Sequence, residues 1–135
     1  DETNRKALLE GLKEGVIDCI TSDHNPIDIE HKKLEFDLAK DGTIGLESAF
    51  GALQTVLPLD VVIEKLTSGR KVFRITEDKI KEGELANLTF FNPTKEWVFK
   101  GEHIQSKSKN SAFLNQKMKG EVYGIFVNGV LNTNT

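Results

Sequence analysis

The sequence predicts an α/β protein whose first part alternates helices with an extended segment and whose second part is β-rich. Three observations lead there: apolar residues recur at helical spacing before residue 70, the period shortens to strand-like runs after Gly83, and Asn128-Gly129 marks a tight hairpin near the end. With 135 residues the chain can bury one core and a small appendage, which excludes two large domains.

Residues 4–14 set Ala7, Leu8, Leu9 and Leu12 on one helical face, with Thr3 or Asn4 as cap and Gly15 as stop. Val16-Ile17-Asp18-Cys19-Ile20-Thr21 follows at once. Its β-branched and apolar side chains, in a run too short for a stable helix, predict a buried strand of an α/β layer. The strand ends in Ser22-Asp23-His24-Asn25-Pro26. Residues 25–43 are polar and broken by Pro26 and Gly42, and so long a connection in a compact domain is usually functional or mobile. Residues 45–57 read as a helix whose apolar face is Leu46, Ala49, Phe50, Leu53, Val56 and Leu57, ended by Pro58. Residues 59–67 give a second short helix through Val61, Val62, Ile63 and Leu66, and Val72, Phe73 and Ile75 form a third apolar group. Beyond Gly83, residues 85–91, 97–99 and 122–127 have strand character, followed by Val130-Leu131 after the Asn-Gly turn. The join falls between residues 76 and 84, dividing the chain into 1–78 and 79–135.

Eighteen Lys and Arg against twenty-one Asp and Glu leave a net charge of −3, so no general attraction draws the chain to phosphate backbones or anionic lipid. No apolar run approaches the ~20 residues that span a bilayer, and no basic-then-apolar leader opens the chain. Neither nucleic acid nor membrane is an expected partner, and a cytoplasmic location is expected. The single cysteine, Cys19, precludes an internal disulfide and a thiolate zinc site, and mid-strand it packs as a small hydrophobe. The abrupt start at Asp1-Glu2-Thr3-Asn4 suggests a piece of a longer chain.

Asp23 is the first candidate for chemistry. A carboxylate at the C-terminal end of a parallel strand is held rigidly while loops surround the substrate, and it can ligate a cation and move a proton. The alternative is that Asp23 or Asn25 merely builds a side-chain turn. The Glu30-His31-Lys32-Lys33 run reads as a solvated loop cluster, and residues 106–110 as a polar connection within the β-rich part. Trp97, Phe90, Phe91, Phe99 and Phe126 have strand spacing and suit a core.

Several motifs then act together. The helix and strand ending in Asp23-His24-Asn25-Pro26, the segment Gly42-Thr43-Ile44-Gly45-Leu46-Glu47-Ser48-Ala49, the Leu66-Thr67 turn and Gly83-Glu84-Leu85-Ala86-Asn87-Leu88 stand in order. Ser106-Lys107-Ser108-Lys109-Asn110-Ser111-Ala112-Phe113, Lys119-Gly120-Glu121-Val122 and Val127-Asn128-Gly129 follow. Together they resemble the C-terminal part of dihydroorotases, cyclic amidohydrolases of pyrimidine synthesis. The resemblance implies the last strand and helices of a (β/α)8 metallo-hydrolase barrel followed by part of a small β-sandwich.

It also implies a zinc-dependent reaction, the hydrolysis of dihydroorotate to carbamoyl aspartate and the reverse ring closure. On the matching positions Asp23 would ligate the metal and shuttle the proton. His24 would support it by hydrogen bonding, and the backbone of Asp41 and Gly42 would meet the substrate ring. The other metal ligands, a His-x-His, a modified lysine and two histidines, would lie in a missing N-terminal part of the same chain, so this chain alone is expected to be inactive.

Two positions depart from the pattern. Ile27 stands where the family has a histidine that helps bind the substrate carboxylate, and Ser68-Gly69-Arg70 replaces Asn-Pro-Ala. Ile27 keeps open a second reading, a non-catalytic dihydroorotase-like paralogue that serves as structural partner of a carbamoyltransferase. A third is an independent interaction module. A homo-oligomer is also possible, because helix faces without their barrel strands favour association.

Overall fold

The structure, a computed structural model, describes residues 1–76 and 79–134; the expected boundary at 78/79 touches residues outside these. Helix α1 (Glu2–Lys13) starts two residues before the expected position, because the Asp1 carboxylate accepts the Asn4 amide at 2.9 Å and caps the first turn. Gly15, at φ +77, closes its far end. Helix α2 (Ile29–Lys32) is a single turn in the polar connection. Helix α3 (Ala49–Gln54) is the regular centre of the expected 45–57 helix; its ends loosen into turns, with Ala49 N–H donating to Gly45 and Leu57 N–H to Leu53. Helix α4 (Leu59–Thr67) occupies the expected residues after Pro58, and the short α5 (Gly69–Val72) replaces the third apolar group, leaving Phe73 exposed.

The strand expected at residues 16–21 is not formed. A strand exists only beside another strand, and here the backbone finds other partners: Ile17 N–H donates to Gly11, Ile20 N–H to Lys65 at 2.8 Å, and the Ser68 hydroxyl to the Asp18 carbonyl at 2.5 Å. The segment lies along α1 and α4, with Ile17 and Ile20 packed on the buried Leu12, Leu57 and Val62.

The β-rich part forms one antiparallel sheet in the order β1-β2-β3 among the described residues: β1 (Leu88–Val98), β2 (Lys117–Val127) and β3 (Val130–Thr133). The separate runs expected at 85–91 and 97–99 merge into β1 across a bulge between Asn92 and Glu96. Pro93 lacks an N–H for the ladder, so the bulge is where β1 tolerates it. The hairpin joins β2 and β3 as the sequence predicts, with Asn128 at φ +52 and Gly129 at φ +78 and Val127 paired to Val130.

Helix α3 packs against β2 and ties the helical part to the sheet. Gly51 permits the approach, since a Cβ there would lie 3.1 Å from Met118 Cβ. Phe50 meets Phe91 edge-on at 5.0 Å, and the Gln54 amide donates to the Pro93 carbonyl at 2.5 Å. Beneath the sheet Phe99, Ile44, Ile104 and Met118 form a buried cluster with Trp97 against it.

The molecule exposes 10175 Å², whereas a self-contained monomer of 15.1 kDa shows about 7,100 Å². The excess includes large apolar side chains: Phe36 is 95% exposed and Val16 76%. Such uncovered faces favour association. The isolated chain is expected to self-associate at micromolar concentrations, measurable by sedimentation velocity; a concentration-independent monomer would contradict this.

Candidate functional site

Three segments outside the regular helices and strands run together: residues 22–27, residues 42–48 and residues 104–112. Asn25 N–H donates to Thr43 C=O at 3.0 Å, and Ile44 N–H to Asn110 C=O at 2.9 Å. From the third segment, alternate side chains reach across. Ser106 bonds to Glu47 and His24, Ser108 donates to the Ile27 carbonyl at 2.8 Å, and Asn110 Nδ2 to the Gly42 carbonyl at 2.8 Å. The polar connection therefore straps the two loops from the helical half.

Asp23, in the first of these segments, stands at φ +43, a left-handed conformation that Asp tolerates better than most residues, and it is exposed. Such outliers gather at functional sites. His24, next to it, is largely buried: its Nδ1 accepts the amides of Gly45 and Leu46, both at 3.2 Å, while Nε2 lies 3.2 Å from Ser106 Oγ. Gly42 stands at φ +128, and a Cβ there would lie 2.6 Å from the Asn25 side chain and 3.1 Å from Ile27. Glycine is required by conformation and by space, and its peptide is the one that sits beside Asn25. Asp41 precedes it, exposed.

Glu47 is the residue that sequence reasoning passed over. Its Oε1 accepts both the Ser106 hydroxyl at 2.6 Å and the Ser106 amide at 2.9 Å; its Oε2 is buried without a hydrogen-bond partner, 3.9 Å from His24 Nδ1. Burial would raise its carboxyl pKa, but the hydrogen bonds that it accepts, the two from Ser106 first, more than offset this and hold it below the usual value. Because the folded value lies below the unfolded one, the stabilisation is complete above the unfolded pKa of about 4.3 and fades as pH falls through the folded value. Unfolding at pH 6 and at pH 3 should show this loss, and Glu47→Gln should flatten the difference; an unchanged slope in the variant would contradict it.

Among the described residues no three His, Cys, Asp or Glu side chains come together as a metal site. Asp23 is a single carboxylate, and both ring nitrogens of His24 are engaged. The donor set of this chain does not fit a zinc centre unaided. Nor is any helix long and apolar enough to cross a membrane, among the described residues.

No family model matches the chain. The dihydroorotase of Caldicellulosiruptor saccharolyticus is 44% identical over 131 residues, covering 92% of this chain, and that of Chlorobaculum tepidum 38% over 135 residues, covering 95%. The chain is homologous to dihydroorotases. It spans only 30% and 31% of the length of these two relatives. Among solved structures, a D-hydantoinase (dihydropyrimidinase) from Thermus sp. superposes over 99% of the chain and 32% of its own, with a TM-score of 0.85 at 23% identity. A D-hydantoinase from Bacillus sp. AR9 gives the same TM-score of 0.85 at 22% identity. At that identity the likeness concerns the fold.

Proposed function

We propose that this chain is the C-terminal portion of a dihydroorotase, and that its parent opens the cyclic amide of dihydroorotate to carbamoyl aspartate and closes it again. The observation that carries the reading is the 44% identity over 131 residues, together with Asp23 held left-handed beside an immobilised His24. In the opening direction a water oxygen adds to the ring carbonyl carbon and the carbon–nitrogen bond breaks. The Asp23 carboxylate takes the proton released by the water and delivers it to the departing nitrogen, so the group ends as it began.

Asp41 and Gly42 offer backbone groups to the imide edge of the substrate, each an N–H donor and a C=O acceptor, the Gly42 carbonyl through the lone pair that Asn110 does not take. The Ile27 side chain can neither donate a hydrogen bond nor carry charge, so the substrate carboxylate is held by groups other than this side chain. Zinc is the metal this reading assigns to the parent, where it would polarise the amide carbonyl; Asp23 is the single ligand that this chain would contribute. Residues 1–78 would close the barrel and residues 79–135 would supply part of the sandwich, with the remainder of both in the rest of the parent.

The test is a ring-opening assay of the full-length parent with added zinc, following loss of dihydroorotate, with residues 1–135 assayed in parallel. Turnover by the parent and none by residues 1–135 is expected. A folded, zinc-loaded parent without turnover would favour the non-catalytic partner reading, and turnover by residues 1–135 would refute the division of ligands.

A further inference from the structure

We infer that Glu47 and Ser106 are positioning residues that lock the His24 imidazole in one tautomer and one orientation, and so hold the Asp23 and Gly42–Gly45 backbone in place. As a statement about catalysis this rests on the proposed dihydroorotase activity; as a statement about the ring it stands on the geometry.

The hydrogen bonds have one consistent direction. Nδ1 of His24 accepts two consecutive amides, Gly45 and Leu46 at 3.2 Å each, so the ring proton sits on Nε2. Nε2–H then donates to Ser106 Oγ, 3.2 Å away, and the Ser106 hydroxyl sends its own proton to Glu47 Oε1 at 2.6 Å. The carboxylate, an acceptor only, is what obliges the hydroxyl to receive from the ring. A flipped imidazole would turn ring C–H groups toward the two amides and forfeit their acceptor. The Ser106 amide bond to the same Oε1, at 2.9 Å, holds the serine from the backbone side.

Movement of the ring has nowhere to dissipate. A Cβ at Gly45 would lie 2.7 Å from the Ser22 carbonyl oxygen, so the segments carrying Asp23 and Gly45 are already in close contact. Asp23 adjoins the ring at φ +43, and a backbone held in that region depends on its surroundings.

The experiment uses the full-length parent and Ser106→Ala, Ser106→Thr, Glu47→Ala and Glu47→Gln. It reads kcat and KM for dihydroorotate ring opening and the ¹⁵N shifts of the His24 ring. Ser106→Ala and Glu47→Ala should lower kcat about 10- to 100-fold with KM little changed, and should convert a single Nε2–H tautomer into a mixture. Ser106→Thr, which keeps the hydroxyl, should restore both. Glu47→Gln, which keeps an acceptor oxygen, should retain the single tautomer even if Glu47→Ala fails to fold. A folded Ser106→Ala with unchanged kcat and an unchanged ring signature overturns the proposal. A parent that does not open dihydroorotate defeats the functional reading alone, and the ring signatures then decide the lock.

Discussion

Asp23→Asn in the full-length parent should lower kcat for dihydroorotate ring opening by about 10²- to 10⁴-fold, the usual contribution of a positioned proton-transfer group. Asparagine is the informative replacement. It matches aspartate in shape and, like aspartate, tolerates the left-handed conformation found at φ +43. The backbone and the neighbouring His24 bonds to Gly45 and Leu46 should therefore survive, and the change removes the ability to hold a proton. Asp23→Ala would confound the result, because alanine at that φ adds about 1–2 kcal/mol of backbone strain. Thermal unfolding of the Asn variant should match the wild type, which separates chemistry from folding. Unchanged kcat in a folded Asp23→Asn parent would remove Asp23 from the reaction.

Phe99→Ala should cost about 3–5 kcal/mol of folding stability, a large share of the 5–15 kcal/mol that holds a typical domain together. Phe99 is fully buried, and it packs with Ile44, Ile104 and Met118. Its amide donates to Gln116 at 3.0 Å and its carbonyl accepts from Asn115 at 2.7 Å, so the backbone cannot easily collapse into the void. The cost reaches the site as well. Ile44 lies between Gly42 and the Gly45 and Leu46 amides that hold His24, so a cavity beneath it loosens the segment that orients the ring. Denaturant unfolding would measure the loss, with Val98→Ala as comparison: Val98 is 38% exposed, and its truncation should change stability far less. A loss below about 1 kcal/mol for Phe99→Ala would contradict the core described here.

Much of the local architecture was legible in the residues. Asn128-Gly129 announced its hairpin, Pro58 separated two helices, and Gly15 ended the first. Each of these follows from dihedral preferences that act within a few residues. The expectation at residues 16–21 failed for an equally physical reason. β-branched composition shows that a segment can be a strand, but pairing needs a neighbour, and here the Ile20 amide bonds to Lys65 on α4 instead.

The site divides in the same way. Asp23 stood out at the end of an apolar run, whereas His24, Asp41 and Gly42 were reached only through the family resemblance of their motifs; the contacts around Gly42 show why a glycine is needed there. Glu47 was visible within its motif, but its role was not. The period-two pattern of Ser106, Ser108 and Asn110 signals that these side chains share a face of the polar connection between β1 and β2, but nothing nearby in sequence tells what that face meets.

Turns, helix stops and the left-handed tolerance of Asp23 were written in the chain, since they depend on the residue and its immediate neighbours. The strap was decided by folding, because Ser106 reaches His24 across 82 positions and Asn110 reaches Gly42 across 68. Contacts at such separation arise only when α3, seated on β2, brings the helical and sheet halves together, and no local propensity encodes that meeting.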